Sequence, residues 1–362
     1  MLRAIGNALL GMLALLTSLE LCLQTLPVSD ATMKDYFLDP MILSYPAGHR
    51  WTTSIGWDLR QPQRHQANNA GFLAQHDFKP DPRAVALIGD SLVEASGLPS
   101  KDRPDAQLER ALGGPAVYGM GAPGSSLLDH LERLRYAHRH YGIRRFVILL
   151  ENGDVAQSLC GSGNVQGPCL DPQDLTPRTD KQPPAGLLKR MLRHLALPNY
   201  LLGQLKLSGP RLWRQLVRQA RPETGPAPPL HAEPPAESPW TRQEQAVAET
   251  FMDRLRPFLA DSEVLLVIES RHDALASGRS AHLRRLEHFS TQLCEAGVGV
   301  LDMAGPFGAA YERTELPLEI GPYDHHFNAL ATGSLGDAIA ATLQHPQHRG
   351  ARPCHAVSVA LR

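Results

Sequence analysis

The amino-acid sequence predicts an α/β protein, a three-layer α/β/α sandwich built on a mostly parallel five-stranded sheet. Five short apolar runs of strand length alternate with longer segments that have helical periodicity. Such an alternation gives right-handed crossovers, which bury a parallel sheet between two layers of helices. The composition agrees, because 362 residues with 43% hydrophobic and 20% charged content supply one sizeable core, with or without an inserted subdomain.

The first predicted strand, residues 84–88, reads AVALI, an unbroken apolar run typical of a strand buried on both faces. Gly89 permits a sharp turn at its carboxyl end, and a helix-like segment begins near Ser91. Open parallel sheets bind their ligands at this edge, where a serine on a strand-to-helix turn gains support from backbone N–H groups. Ser91, with Glu94 three residues later, also fits a capping box, an alternative that needs no chemistry.

The other elements follow in chain order. Apolar runs predict strands at residues 116–118, 145–150, 264–268 and 298–301. Helical periodicity predicts helices at residues 105–112, 126–140, 241–259, 282–294 and 332–343. Gly113 and Gly114 end the first of these helices, since glycine adopts the left-handed conformation that stops a helix.

The N-terminal segment, residues 1–28, predicts a signal-anchor. Arg3 precedes a largely apolar stretch at residues 4–26, close to the roughly 20 residues that span a bilayer, and Asp30 follows it. A cleaved signal peptide is the alternative, but no clear small-x-small cleavage site follows. We therefore expect a single transmembrane segment, with the rest of the chain outside the cytoplasm.

The remaining segments predict the domain organisation. Residues 29–81 are expected to be an extended lead-in that packs on the core domain, which comprises residues 82–160 and 241–345, and residues 346–362 form a tail.

Residues 161–240 are expected to be an insertion. Residues 187–220 predict two basic amphipathic helices, which lie either on anionic lipid near the anchor or over a small subdomain. Residues 221–239 are rich in proline, which is typical of a linker.

Charge and cysteines restrict the partners and the compartment. Thirty-six basic and 37 acidic residues leave the chain near neutrality, so no nucleic-acid partner is expected. Cys160 and Cys169 enclose GSGNVQGP, and in an oxidising compartment such a pair predicts a small disulfide loop, whereas a zinc site lacks further nearby ligands. Whether Cys294 and Cys354 pair is left open.

Four segments in chain order resemble the sequence blocks of the GDSL, or SGNH, serine hydrolases. GDSLVEASG (89–97) is similar to the first block, VYGMGAPGSS (117–126) to the second, ENGDV (151–155) to a rearranged third and DHHFN (324–328) to the last. The resemblance covers residues 68–343 apart from the insertion. It implies the flavodoxin-like fold of that family and a membrane-anchored bacterial protein whose hydrolase domain lies in the periplasm, held at the inner membrane by one N-terminal span.

The resemblance also implies a catalytic site. Ser91 is the nucleophile, His326 the base and Asp324 the carboxylate that orients it, while His325 is the alternative base. The backbone N–H groups of Ser91 and Gly121 stabilise the oxyanion. No metal or organic cofactor is implied. Two alternatives for the last block stay open at this point, since Asp324 fits ordinary helix capping or, with a histidine, a metal site.

The third block departs from the family pattern. The family has Asn immediately before the Asp of this block, where its side chain donates to the oxyanion, but here Gly153 precedes Asp154 and Asn152 comes one residue earlier. Either Asn152 reaches the oxyanion through a local kink, beside Gly153, or the third donor is missing.

The resemblance therefore implies an exported serine esterase or deacetylase that hydrolyses acetyl or other esters, with an acetylated surface polysaccharide or a lipid as the candidate substrate. An O-acetyltransferase of surface polysaccharide that uses the same triad is one alternative. A catalytically silent carbohydrate-binding or assembly protein on the same fold is the other, favoured by the altered third block. The oligomeric state is not predicted.

Overall fold

The computed structural model describes residues 2–151, 153–163, 167–205, 207, 241–270, 289–290, 292–321 and 324–344. Its centre is a five-stranded sheet of β5 (Val85–Gly89), β6 (Val117–Gly121), β7 (Arg145–Leu150), β10 (Glu263–Ile268) and β11 (Gly299–Asp302). The strand order is β11-β10-β7-β5-β6, and all four pairs are parallel. Counted within the sheet, the order is 2-1-3-4-5, that of flavodoxin-like doubly wound folds. The predicted fold class is confirmed.

Alternate residues of the strands enter two separate cores. Ala86, Ile88 and Ile148 belong to the hydrophobic cluster on one face, while Val85 and Leu87 belong to the cluster on the other. Every residue of β5 is buried, because both faces of the sheet are covered by helices. This arrangement explains why the strand sequence is apolar throughout rather than alternating.

The helices of the sandwich are α2 (Ser91–Glu94), α3 (Pro104–Leu112), α4 (Leu127–Tyr141), α5 (Asp154–Gln157), α8 (Arg242–Leu255), α9 (Ala304–Thr314) and α10 (Ala329–Gln344). Residues 289–290 and 292–295 are helical, and the rest of the predicted helix at 282–294 lies outside the described residues. Helix α9 is absent from the sequence prediction. Pro306 makes a helix here hard to predict from the sequence. A proline in the first turn of a helix nevertheless removes no intrahelical hydrogen bond.

The lead-in forms two hairpins rather than a continuous extended segment. β1 (Asp35–Asp39) pairs antiparallel with β2 (Ile42–Ser44), and β3 (Arg50–Ile55) forms a second two-stranded sheet with β4 (Arg60–Gln66). A third pair, β8 (Pro168–Leu170) with β9 (Pro177–Thr179), lies in the predicted insertion. Strand β4 was not predicted because its residues, RQPQRHQ, lack the alternation of apolar and polar residues that is typical of a strand.

The N-terminal helix α1 (Leu2–Gln24) is followed much later by α6 (Leu187–Leu192), α7 (Ala196–Pro198) and a π-helical turn (Asn199–Gln204). Residues 3–24 are long and apolar enough to cross a membrane, a test that a signal sequence also passes. The first predicted basic helix is thus several short pieces. The second predicted basic helix and the proline-rich linker fall almost wholly on residues 208–240, which lie outside the described residues.

The chain divides into two compact units, with boundaries that differ from the predicted domains. One unit contains Met1–Met33, Arg50–His65 and Pro184–Glu233, and the other contains Lys34–His49, Gln66–Pro183 and Pro234–Arg362. The β3–β4 hairpin therefore groups with the N-terminal helix, and the β8–β9 hairpin groups with the five-stranded sheet. The predicted tail at 346–362 lies outside the described residues.

Candidate active site

Ser91 is the first residue of α2, on the turn that follows β5. The cap of this helix is Asp90, whose Oδ1 accepts a hydrogen bond from the Leu92 backbone N–H at 2.9 Å. The Ser91 hydroxyl is 3.5 Å from Asp90 Oδ2, and the Glu94 carboxylate binds Lys34. The capping-box alternative is therefore wrong, because the neighbouring aspartate already supplies the cap.

Gly121 ends β6 beside this turn. It is the register partner of Gly89, the last residue of β5. A Cβ atom added to Gly121 would lie 2.3 Å from Glu94 N and 2.8 Å from Val93 C, closer than such atoms approach in proteins. Only glycine lets the end of β6 lie against the backbone of α2, so the predicted oxyanion residue lies beside the helix that begins with Ser91.

The third block follows β7, the strand on the other side of β5. Gly153 precedes α5, and the Asp154 carboxylate accepts a hydrogen bond from the Glu151 backbone N–H at 2.8 Å. Asn152 lies outside the described residues, so its role as a third oxyanion donor stays a prediction.

Asp324 and His326 form a hydrogen-bonded pair. Asp324 Oδ1 accepts from the His326 backbone N–H at 2.9 Å and is also bonded to His326 Nδ1. With the proton on Nδ1, the basic nitrogen of a neutral imidazole is Nε2. Asp324 does not cap the following helix, since Asn328 Oδ1 accepts from the Ala331 N–H at 3.0 Å. The helix-cap alternative for Asp324 is wrong.

The other candidate groups near the last block differ from this pair. His325 is exposed, and its Nδ1 is 2.7 Å from Glu319 Oε2. Within the part of the chain that the structure describes, no three His, Cys, Asp or Glu side chains form a group that could hold a metal ion.

The direction of α10 places the last block at the same edge of the sheet as Ser91. Helix α3 connects two parallel strands, β5 and β6, so it runs from the carboxyl edge of the sheet to the amino edge. Thr332 Oγ1 donates to Asp102 O just before α3 at 2.7 Å, and Gln344 Nε2 donates to Leu112 O at its end at 3.2 Å. Helix α10 therefore runs parallel to α3, and the segment before it, with His326, begins at the carboxyl edge.

A buried polar network lies beneath this edge. Arg133 Nη2 is 2.6 Å from Ser125 Oγ and 2.7 Å from His130 Nδ1, and His130 Nε2 is 3.4 Å from Asp154 Oδ2. Ser125 Oγ in turn donates to Ala122 O at 2.7 Å. The network thus joins the residues that follow β6 to those that follow β7.

Electrostatics fixes the proton positions in the network. Burial, and then the charge of Arg133, lower the pKa of His130 well below its usual value, so the imidazole is neutral. Because a guanidinium group only donates, His130 Nδ1 must accept, and Nε2 carries the proton toward Asp154. Burial and the neighbouring Asp90 raise the pKa of Asp154 well above its usual value. Burial lowers the pKa of Arg133 to about 10, which leaves it charged at neutral pH.

A buried ion pair, separate from this network, contacts the end of α2. Lys34 Nζ lies 2.8 Å from Glu94 Oε2, and the two side chains are only 4% and 3% exposed. The Tyr45 hydroxyl is 3.3 Å from Glu94 Oε1, and Lys34 Nζ lies 4.7 Å from the centre of the Tyr45 ring. Burial lowers the pKa of Lys34 and raises that of Tyr45. Residues of the lead-in therefore bind directly to the helix that begins with Ser91.

Neither the buried polar network nor the Lys34–Glu94 pair was predicted from the sequence. A signal was present in α4 and its N-cap residue Ser126, because Ser126, Asp129, His130 and Arg133 recur at spacings of three and four residues, yet all are buried. Polar residues on a helix face that enters the core indicate a structured network rather than a solvated surface. Lys34 gives no such signal, because it lies in a segment without periodicity.

Cys160 and Cys169 are joined by a disulfide bond, with Cα atoms 5.1 Å apart. Cys294 is half-buried, and Cys354 lies outside the described residues, so their pairing is not tested.

Among known proteins, this chain is similar to solved structures but matches no family model and no curated protein. A G-D-S-L family protein from Desulfitobacterium hafniense DCB-2 shares 12% identity over 72% of this chain and 98% of its own, with a TM-score of 0.38. A member of the lipolytic protein G-D-S-L family from Veillonella parvula DSM 2008 shares 11% identity over 72% of this chain and 97% of its own, with a TM-score of 0.37. Both are named for the family that the sequence blocks resemble.

Proposed function

We propose that this chain is an exported serine esterase or deacetylase that hydrolyses acetyl or other esters of a surface polysaccharide or lipid. The observation that supports it most is the Asp324–His326 pair, because a carboxylate on Nδ1 fixes the tautomer in which Nε2 accepts a proton. The first residue of a helix that follows a strand, as Ser91 is, suits a nucleophile, since the N–H groups of the first turn have no partner within the helix.

The proposed reaction has two acyl transfers. Ser91 Oγ attacks the ester carbonyl carbon while its proton moves to His326 Nε2, and the carbonyl oxygen becomes an oxyanion bound by the N–H groups of Ser91 and Gly121. The carbon–oxygen bond to the alcohol breaks as His326 returns the proton to the leaving oxygen. Water then attacks the acyl-serine, gives its proton to His326 and releases the acid as Ser91 recovers its proton. Asp324 stabilises the imidazolium in both steps.

The test uses the purified full chain with 4-nitrophenyl acetate. We expect Ser91→Ala and His326→Gln each to lower kcat/KM on the order of 10³-fold or more, since triad residues act as a unit. His325→Gln is the matched control and should retain activity. A Ser91→Ala variant as active as the wild type would refute the proposed nucleophile, and loss in His325→Gln alone would move the base to His325.

The same assay separates the alternative functions. An O-acetyltransferase of surface polysaccharide would transfer the acetyl group to an added sugar hydroxyl faster than to water, which product analysis detects. A catalytically silent carbohydrate-binding or assembly protein would show no turnover and no covalent adduct on Ser91 with a fluorophosphonate. The altered third block, with Gly153 before Asp154, favours the silent protein.

A further inference from the structure

Exposed apolar side chains outside α1 are concentrated in the unit that carries α1. Of the twelve such large side chains among the described residues, nine belong to this unit. Leu187 and Leu188 are 68% and 69% exposed, and Met191 is 62% exposed. An apolar patch of this kind on a protein surface marks an interaction site. We call it the juxtamembrane surface, and it comprises Trp57, Leu187, Leu188, Met191, Leu195 and Leu202.

Two hydrogen bonds fix this surface to the end of α1. Glu20 Oε1 and Oε2 accept from the backbone N–H groups of Ala196 and Leu197 at 2.8 and 2.7 Å. Glu20 lies 17 residues after Arg3, about 25 Å along a helix that rises 1.5 Å per residue. A hydrocarbon core is about 30 Å thick, so a spanning α1 puts Glu20 near the far interface. The attached residues 187–204 then lie at the same level.

The tip of the β3–β4 hairpin is attached to the same segment. Tyr200 Oη donates to Trp57 O at 2.7 Å, and Gln204 Nε2 donates to Ser54 O and Gly56 O at 2.9 Å each. The Trp57 side chain is 61% exposed. Trp and Tyr are enriched at membrane interfaces, where an apolar ring and a polar group are both satisfied.

The charge of residues 187–204 indicates the lipid. They contain three Lys or Arg, which are Lys189, Arg190 and Arg193, and no Asp or Glu. Lys189 and Arg190 are exposed, next to the apolar residues of α6. Basic residues near the surface of an anionic bilayer are attracted to its headgroups. We propose that the juxtamembrane surface binds the anionic lipid of the same bilayer that α1 spans, at the leaflet next to the C-terminal end of α1.

The test places an environment-sensitive label on this surface in the full chain. Cys22, Cys294 and Cys354 are replaced by serine, the disulfide is kept, and an NBD group is attached at Met191→Cys. The chain is reconstituted in nanodiscs of phosphatidylcholine with 30% phosphatidylglycerol. The matched control carries the label at Leu316→Cys, a position 57% exposed in the other unit, against 62% for Met191.

We expect the label at 191 to shift to shorter emission wavelength and to be quenched at least threefold more by 5-doxyl lipid than the label at 316. Lys189→Gln with Arg190→Gln should reduce this quenching, as should nanodiscs of phosphatidylcholine alone. A label at 191 that aqueous iodide quenches and doxyl lipid does not would overturn the proposal. Recovery of a chain that lacks α1 would also overturn it. Unchanged quenching in the Lys189→Gln, Arg190→Gln variant would overturn the preference for anionic lipid.

Discussion

Replacing Lys34 with methionine tests the buried ion pair that holds the end of α2. Methionine keeps the apolar stem of lysine but removes the ammonium group that lies 2.8 Å from Glu94 Oε2. The Glu94 carboxylate, 3% exposed, would retain the Tyr45 hydroxyl at 3.3 Å and lose its counter-charge. A buried charge that loses its partner is strongly destabilising.

The magnitude follows from leaving one charge of a buried pair without its partner. Breaking such a pair from one side costs about 3–5 kcal/mol. We therefore expect the variant to lose about 3–5 kcal/mol of unfolding free energy at pH 7.

The assay is urea unfolding of the purified chain at pH 7, followed by circular dichroism. Arg256→Met is the matched control, since Arg256 and Asp253 form a pair with side chains 70% and 72% exposed, for which no measurable change is expected. Lys34→Met combined with Glu94→Leu should recover part of the loss, because no unpaired charge remains.

Two results would refute this reasoning. A loss no larger than that of Arg256→Met would mean that the unpaired Glu94 carboxylate has no measurable cost. A double variant no more stable than Lys34→Met would mean that packing, rather than the unpaired charge, carries the effect.

The compact unit that contains Lys34 and Glu94 gives three further predictions. Gly121→Ala should lower both stability and esterase activity, because its Cβ would lie 2.3 Å from backbone, whereas Gly114→Ala, with nothing within 4 Å, should change neither; equal effects in the two variants would contradict this. Burial raises the pKa of Asp129 to about 6, so its contribution to stability is lost as pH rises from about 4 to 6. The cost of Asp129→Asn, measured by urea unfolding, should therefore shrink by a few kcal/mol over that range, and a constant cost would count against the raised pKa. Replacing Cys160 and Cys169 by serine should lower the free energy of unfolding by about 2–3 kcal/mol, the chain entropy of so short a loop, and an unchanged midpoint would show that the bond contributes nothing.

The five strands of the sheet and most of the helices beside it could be predicted from the sequence, because unbroken apolar runs and period-3.6 patterns are local features. Runs such as RFVILL at residues 145–150 must lie between two layers of helices, and the glycines beside them end each element. Ser91 was indicated by its place on the turn after the first predicted strand, whereas His326 was identified only through the resemblance of DHHFN to the last GDSL block. The same resemblance implied the contact between Asp324 and His326.

Only the tertiary structure decided how that edge is supported. The contact of Lys34 with Glu94 joins residues 60 positions apart, and no local pattern encodes such a pair. The N-cap of α2 is Asp90 rather than Ser91. Aspartate and serine cap helices about equally well, so only the backbone geometry after β5 selects between them. The network of His130, Arg133 and Asp154 is likewise visible only when α4 packs on the sheet. Burial changes the cost of each charge there, and burial is a property of the folded chain rather than of any residue alone.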